Sequence, residues 1–232
     1  MRISIAEITN AFPQFRVAFV VAEGLTIAPQ RPAALDTLIA QREEAARARW
    51  RGTELSQIPG IAAWRAAYKS FGIKQTRYRS SVERLVKNVL GGRPLARVNA
   101  FVDLYNAVSL AHVLPLGADD LDRVTPPLAF RTGREGDSFV DMAEEGDVPE
   151  APKAGEVVYA DADHVLCRRW NWRQDARSLI TAQTTRAVVT VQGNGAGDVA
   201  AGADDLIELI GQFCGGRCRL EILDSAHPTA DL

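Results

Sequence analysis

The chain has 232 residues, of which 47% are hydrophobic and 24% charged, and its formal net charge is −2. This length and apolar content allow a buried core of one large or two small packed domains and exclude an intrinsically disordered chain. The near-neutral charge excludes a protein that coats nucleic acid by bulk electrostatics, and no apolar run is long enough to cross a membrane.

Cysteine usage indicates the cellular compartment. Three cysteines, Cys167, Cys214 and Cys218, cannot all pair, and the last two lack a second pair of Cys or His at zinc spacing. The first residues also lack the apolar stretch of a signal peptide. We therefore expect a cytoplasmic protein without bound metal or cofactor. A local redox pair or half a metal site at Cys214 and Cys218 is the alternative.

The N-terminal part is predicted to form a strand followed by two helices. Residues 15–22 are rich in β-branched and aromatic side chains, and Gly24 ends this strand. A helix follows over 32–50. A second, amphipathic helix is predicted over 61–71, where large apolar residues recur at intervals of three and four before Gly72.

Two further helices are predicted in the middle of the chain. Ser80 and Glu83 have the spacing of a capping box, in which each side chain satisfies a backbone N–H of the other residue. The segment 99–113 suits a helix or a strand, and we choose a helix, which places Asn99, Asp103 and Asn106 in one polar stripe. Such a stripe either contacts a ligand or consists of an N-cap and solvent-facing residues.

From residue 128 onward the pattern is typical of short strands separated by Gly, Pro and acidic turns. The strands are predicted at 128–131, 138–140, 156–159, 187–191 and 217–223. A late helix is predicted over 200–213, and residues 225–232 are predicted to be a loose tail.

These elements predict an α/β fold of the α+β type, with a mixed, largely antiparallel sheet flanked by helices. We see no repeat or low-complexity linker that would divide the chain. Residues 1–232 would therefore form a single compact unit, with an N-terminal strand and helix extension over 1–59 and a core over 60–223.

Charge is unevenly distributed along the chain. Residues 65–97 contain nine basic side chains and one acid, whereas residues 135–163 contain ten acids and one lysine. The basic stretch suits RNA phosphates, and the acidic stretch would face away from RNA. Lys74, Arg77 and Arg79 are the predicted RNA contacts. The alternative is two solvated faces, or two stretches that pair with each other.

Common catalytic signatures are absent from the sequence: there is no nucleophile elbow, zinc-protease helix or phosphate-binding loop. The unusual segment is 167–174, Cys-Arg-Arg-Trp-Asn-Trp-Arg-Gln, which interleaves two indoles with three guanidinium groups and two amides. These groups can stack on a base, bind a phosphate or carboxylate, or contact an amino group. Alternatively, Trp170 and Trp172 alternate on a strand and both belong to the core.

Several segments together resemble the B3/B4 domain family, the editing module of the phenylalanyl-tRNA synthetase β chain. The hallmark segment is Val-Asn-Ala-Phe-Val-Asp-Leu-Tyr-Asn-Ala at 98–107, followed by Leu-Pro-Leu-Gly at 114–117. Motifs at 64–68, 78–85, 106–110, 120–122 and 167–173 are more similar to the free-standing members of the family. The likeness spans roughly residues 60 to 192.

The resemblance implies an aminoacyl-tRNA deacylase that edits in trans, and mischarged aminoacyl-tRNA is then the expected partner. It hydrolyses the ester that joins a wrong amino acid to the tRNA 3′ end, and the chain is too short to be an aminoacyl-tRNA ligase by itself. Asn106 and Asp103 would be the catalytic residues that orient the ester. The predicted substrate contacts are Tyr105, Trp170, Asn171 and Arg173, and the bulk of Trp170 implies a smaller side-chain pocket than in the synthetase.

One departure from the family pattern concerns position 117. The synthetase has a pocket histidine two residues after the proline that matches Pro115, and this chain has Gly117. A histidine base therefore does not transfer, and hydrolysis would rely on a water held by backbone groups and the terminal ribose hydroxyl. The sequence does not rank the acids that could assist, which are Asp103, Asp119, Asp120 and Asp122. A module that binds a tRNA end or an amino acid without catalysis is the alternative function, and a small-molecule hydrolase is a weaker one.

Overall fold

Two β-sheets form the framework of the computed structural model, which describes residues 1–73, 78–142 and 151–232. The strands are β1 (Arg2–Ser4), β2 (Phe15–Glu23), β3 (Leu116–Asp120), β4 (Leu128–Thr132), β5 (Val157–Ala160), β6 (Val165–Arg168), β7 (Arg173–Gln174), β8 (Arg186–Asn194), β9 (Arg217–Leu223) and β10 (Thr229–Asp231). The helices are α1 (Ala33–Trp50), α2 (Pro59–Ser70), α3 (Ser81–Leu90), α4 (Ala100–His112) and α5 (Val199–Phe213). This mixture of helices with largely antiparallel strands confirms the predicted fold class, although the strands form two sheets rather than one.

The first sheet is antiparallel and has the strand order β3-β8-β2-β9. Its central strand β2 is buried on both faces, since every residue from Val17 to Ala22 is inaccessible to solvent. Helix α5 packs against β2, β8 and β9, and α2 packs against β8. The near-continuous apolar sequence of β2 therefore reflects a strand covered on both sides rather than one with a solvated face.

The second sheet has the order β10-β1-β4-β5-β6-β7, in which only the pairing of β1 with β4 is parallel. The prediction of a loose tail over 225–232 is wrong, because β10 pairs with β1 and Ile3 lies opposite Ala230. The backbone N–H of Ile5 also donates to Pro228 O at 2.8 Å. These partners lie at the far end of the chain, so local pattern does not reveal the strand.

The predicted strand at 138–140 is also wrong. The N–H of Val140 donates to the carboxylate Oδ2 of Asp175 at 2.8 Å, and Ser138 O accepts from Val165 N at 3.0 Å. The β-pairing beside this segment is a single isolated bridge between Asp141 and Asp175. A side-chain carboxylate thus satisfies a backbone donor that a ladder partner would otherwise bind, and regular pairing does not form.

The predicted helices are all present, and the N-caps of α3 and α4 show which capping predictions were correct. Ser80 accepts a hydrogen bond from Glu83 N at 3.4 Å and caps α3, as expected. The carboxylate of Glu83 does not return the bond but pairs with Arg65 and Arg79. Asn99 caps α4 by accepting from Val102 N at 2.9 Å. The predicted polar stripe therefore begins with an N-cap.

One hydrophobic core joins both sides of the boundary predicted near residue 59. The rings of Phe15 and Trp170 lie 4.9 Å apart, those of Trp64 and Trp170 lie 5.2 Å apart, and Phe15 also contacts Phe130. Because edge-to-face pairs of this kind bury large apolar areas, the N-terminal strand is tied to the rest of the chain. Within the residues described, no helix is long and apolar enough to cross a lipid bilayer.

Candidate functional site

A cavity of about 160 Å³ lies where α4, β3 and β8 meet the turn between β6 and β7. Its wall combines apolar surface with amides, hydroxyls and a buried carboxyl. The polar residues that line it include Tyr105, Asn106, Asp119, Tyr159, Asn171, Gln174, Thr190 and Gln192. A concave site with a few convergent polar groups is the usual form of a small-ligand pocket.

A chain of side-chain hydrogen bonds holds the amides on one wall in place. The Tyr68 hydroxyl donates to Asn171 Oδ1 at 2.9 Å, and Asn171 Nδ2 donates to Gln192 Oε1 at 3.1 Å. Gln192 Nε2 then donates to Thr190 Oγ1 at 3.0 Å. Because each member is bonded to the next, the orientation of the Asn171 and Gln192 amides is determined before any ligand binds.

Asp119 on β3 contributes a buried carboxyl to the cavity wall. Its Oδ1 accepts hydrogen bonds from Ser178 Oγ at 2.6 Å and from Gln174 Nε2 at 3.0 Å. Burial raises the pKa of Asp119 to about 7, although these two hydrogen bonds favour the charged form. A carboxyl with a pKa near neutrality can exchange a proton under physiological conditions. Among the four acids that the sequence left unranked, Asp119 lines the cavity and Asp103, Asp120 and Asp122 do not.

The structure brings four of the six predicted catalytic and substrate-binding residues together. Tyr105, Asn106, Asn171 and Arg173 all line the cavity. Tyr105 and Asn106 come from α4, whereas the other two follow β6. Burial raises the pKa of Tyr105 above its usual range, so this side chain stays a neutral phenol.

Asp103 does not line the cavity. Its Oδ2 accepts from Arg31 Nε at 2.6 Å, and its Oδ1 accepts from Val98 N at 2.9 Å. The Arg31 guanidinium also donates to the carbonyl oxygens of Leu95 and Ala96. These contacts give Asp103 a role in holding the segment before α4 against the start of α1.

Trp170 likewise lies outside the cavity, in the aromatic core. It is fully buried, and its ring contacts Phe12 at 4.5 Å, besides Phe15 and Trp64. Residues 169 and 170 have φ angles of 47° and 68°, so the chain makes a left-handed turn instead of continuing as a strand. This turn breaks the expected alternation, and Trp172 rather than Trp170 faces the cavity.

The rim of the cavity is built from stacked cations and rings. The Arg169 guanidinium lies 3.8 Å from the centre of the Tyr78 ring and 4.3 Å from that of Trp172. Arg173 lies 5.0 Å from the Trp172 ring and forms an ion pair with Asp141 at 2.9 Å. Arg169 is buried, so Trp172 and Arg173, which line the cavity, are the planar groups on which a nucleobase can stack.

Gly117 lies on β3 in the cavity wall, at the position where the resemblance places a histidine. A Cβ atom built there has no other atom within 4 Å, so the space beside it is open. The histidines of this chain, His112, His164 and His227, do not line the cavity. No imidazole from the described part of the chain therefore replaces the family histidine.

A groove of about 520 Å³ lies beside the cavity and shares Arg84 with it. Its charged lining consists of Arg65, Arg79, Arg84, Lys87 and Arg93, with Glu83 as the acid. The Glu83 carboxylate pairs with Arg65 at 2.7 Å and with Arg79 at 3.2 Å. Arg84, Lys87 and Arg93 are exposed, so the groove keeps a positive charge toward solvent.

The predicted RNA contacts fall only partly on this groove. Arg79 lines it, whereas Lys74 and Arg77 lie outside the described residues. Much of the acidic stretch, at 143–150, also lies outside them. Their contact with RNA stays a prediction.

Several cavity residues escaped the sequence analysis. Thr190 and Gln192 alternate within the apolar run of β8, and this period of two places both on one face. That signal was available, since polar residues at alternate positions of a buried strand need partners. Tyr159 gave no such signal, whereas Gln174 lies in the segment 167–174 that the sequence analysis singled out without giving this residue a role. In the described ranges, no group of three or more His, Cys, Asp or Glu side chains is placed to hold a metal ion.

Comparison with known proteins shows which domain contains the cavity. The B3/4 domain matches residues 63–214, which include every residue that lines the cavity. A structure of an N-terminal fragment of the phenylalanyl-tRNA synthetase beta-subunit from Pyrococcus horikoshii is similar at 12% identity with a TM-score of 0.49. That alignment covers 94% of this chain and 50% of the fragment, so the chain spans half of its length. No curated protein gave a significant match.

Proposed function

The chain belongs to the B3/4 domain family, and from this membership and the geometry of its cavity we propose that it is a trans-acting aminoacyl-tRNA deacylase. Its substrate would be a mischarged aminoacyl-tRNA, whose aminoacyl ester is cleaved without ATP. The proposal combines the editing role that the resemblance implies with a site that has the groups needed for ester hydrolysis.

The observation that carries the proposal is the cavity wall formed by Asn106, Asn171 and Asp119. The Asn171 amide, which Tyr68 and Gln192 hold in place, can bind the aminoacyl group without reorganising, and Asn106 adds a second amide to the same wall. A carboxyl with a pKa of about 7 stands beside them and can accept a proton from water at neutral pH. An ester is already activated, so these two features suffice for its hydrolysis.

In the proposed reaction, Asp119 accepts a proton from water as the water oxygen attacks the ester carbonyl carbon. Asn106 and Asn171 orient the aminoacyl group. The bond between the carbonyl carbon and the ribose oxygen then breaks, and the ribose oxygen takes the proton back. The products are the free amino acid and tRNA with a free 3′ end, so no other reactant is required.

The groove beside the cavity supports the tRNA part of the proposal. Its exposed cations lie next to Arg84, which also lines the cavity, so phosphates of the 3′-terminal strand can be bound while the ester reaches the amides. Trp172 and Arg173 line the cavity and are partly exposed, so they offer planar groups for the terminal base.

A second function, binding of a tRNA end or an amino acid without catalysis, is favoured by one observation. Gly117 occupies the position of the family's pocket histidine and leaves open space in the wall. If Asp119 does not act as a base, the cavity would recognise its ligand but not hydrolyse it.

Release of each amino acid from a panel of mischarged tRNAs separates the two functions. We expect purified protein to deacylate at least one member, and Asn106→Ala to slow that reaction by roughly fivefold to more than a hundredfold, the effect of losing one hydrogen bond worth about 1 to 3 kcal/mol. Asn10→Ala, which changes an exposed asparagine remote from the lining, is the control and should be as active as the wild type. Binding without any release would support the second function instead.

A further inference from the structure

Tyr159 lines the cavity, and no described residue supplies a partner for its hydroxyl. The side chain is 3% exposed, and within the described chain its hydroxyl makes no hydrogen bond. Its ring stacks on Phe130 with the centroids 4.7 Å apart and the planes inclined by 23°, which fixes where the hydroxyl points. Burial raises the pKa of Tyr159 well above its usual value, so the phenol stays neutral and can both donate and accept.

Ser81 provides a second hydroxyl of the same kind. Its Oγ is buried, lines the same cavity and has no hydrogen-bond partner among the residues described. The two hydroxyls come from different elements, since Ser81 begins α3 and Tyr159 belongs to β5. Buried polar atoms in folded proteins almost always have a partner, so orphaned atoms in a cavity indicate a partner that the ligand or water provides.

The two possible partners have different consequences for binding. Water can satisfy the hydroxyls before a ligand binds, but an apolar side chain that displaces this water leaves them unpaired. A ligand hydroxyl replaces the lost hydrogen bonds and avoids that cost. The cavity should therefore discriminate against apolar side chains of equal size, as sites built to bind a substrate hydroxyl do.

The size of the cavity limits the side chain further. A cavity of roughly 150 Å³ is filled by one benzene molecule. The volume of about 160 Å³ in this protein must also take part of the ester and the α-amino group. Room therefore remains for a short aliphatic side chain and not for a phenol.

Building on the proposed deacylase function, we infer that the cavity accepts aminoacyl groups with a short hydroxyl-bearing side chain, the class of serine and threonine, and that Tyr159 is a specificity-determining residue. Its hydroxyl would bond to the substrate hydroxyl. Ser81 adds a second polar contact.

Matched pairs of esters on one tRNA test this inference. We expect wild-type protein to hydrolyse seryl-tRNA about ten- to a hundredfold faster than alanyl-tRNA, and threonyl-tRNA faster than valyl-tRNA by a similar factor. Tyr159→Phe removes one oxygen and keeps the ring on Phe130, so it should lower both ratios by roughly tenfold, while Ser81 retains part of the selectivity. Tyr105→Phe removes another phenol hydroxyl from the same cavity and should leave the ratios well above one. Melting temperatures establish that both variants fold.

Binding of non-hydrolysable amide analogues separates failure of this inference from failure of the proposed function. The probes are 3′-serylamido- and 3′-alanylamido-adenosine. Tighter binding of the seryl analogue by wild type, by a factor that Tyr159→Phe lowers, supports the inference even if no ester is hydrolysed. Equal hydrolysis rates of the seryl and alanyl esters, together with equal binding of the two analogues, overturn the inference without contradicting the proposed deacylase function. Fastest hydrolysis of a tyrosyl ester, or equal loss of selectivity in Tyr105→Phe, also overturns it.

Discussion

The Asp119 carboxyl is buried and lines the cavity. Because we propose that it acts as a base, the rate of hydrolysis should depend on pH. Only the charged form can accept a proton, and its pKa is about 7. We therefore expect kcat/KM for the mischarged ester to rise with pH and to level off above about pH 7.

Asp119→Asn should remove this rise and lower the rate by about a hundredfold or more, the usual contribution of a positioned base. Asp122→Asn is the matched control, because Asp122 is exposed and lies three residues further along the chain. A pH profile that is the same in wild type and Asp119→Asn would rule out the role of this carboxyl.

The same pKa also affects stability. The folded protein holds a proton on Asp119 up to about pH 7, whereas the carboxyl in the unfolded chain loses it near its ordinary value of 3.8. The folded state therefore binds more protons between these values, and the free energy of unfolding should fall as pH rises from about 4 to about 7. Urea titrations of wild type and Asp119→Asn at pH 4.5 and pH 8 measure this contribution. The difference in free energy of unfolding between the two proteins should change by on the order of a few kcal/mol from pH 4.5 to pH 8. An unchanged difference would contradict the raised pKa of Asp119.

At the scale of elements, α3 connects the cavity with the basic groove. Its N-terminal residue Ser81 lines the cavity, whereas Lys87 near its end lines the groove together with Arg93. Arg84 belongs to both. Glu83 on the buried face of the helix holds Arg65 and Arg79. Helix α3 thus positions basic side chains of the groove and one hydroxyl of the cavity wall.

Replacing Lys87 and Arg93 together by Ala should weaken binding of tRNA without changing the cavity. Each phosphate contact on a single strand adds roughly 0.7 to the slope of log affinity against log salt, so the slope should fall by about 1.4. Hydrolysis of a 3′-aminoacyl-adenosine, which has no phosphate, should stay at the wild-type rate.

The control for this variant is Arg16→Ala with Arg217→Ala, which removes the same charge from exposed positions outside the groove. If both double variants lower affinity and slope equally, bulk charge rather than the groove binds the tRNA.

At the scale of the whole molecule, Trp170 links the N-terminal strand to the B3/4 region through its contacts with Phe15 and Trp64. Because the core crosses the predicted boundary at residue 59, we expect residues 1–232 to unfold as one cooperative unit. Trp170→Ala should lower the free energy of unfolding by about 3 to 5 kcal/mol in a single transition.

Trp172→Ala is the matched control, since this indole lines the cavity rim instead of the core. It should cost less stability and should change the range of accepted amino acids. Urea unfolding followed by circular dichroism checks both variants. Two separate transitions, or equal losses for the two tryptophans, would contradict this description of the core.

The amino-acid sequence by itself determined the helices, the long strands and the fold class, because their signals are local. An N-cap side chain such as that of Ser80 or Asn99 bonds to a backbone N–H only three residues further on. A buried strand such as β2 is recognised from its continuous apolar sequence. The resemblance also predicted Asn106 and Asn171 as site residues, and both line the cavity.

Only the tertiary structure decided which polar side chains meet. Asp119 acquires its raised pKa from burial under segments far along the chain, and Ser178 and Gln174 reach it from about 55 to 59 residues away. The left-handed turn at 169–170 directs Trp170 into the core and leaves Trp172 at the cavity, which neither interpretation of the segment had predicted. The tail became a strand because β1 left an edge to pair. In each case the deciding contact joins residues distant in sequence, and periodicity and capping describe only residues a few positions apart.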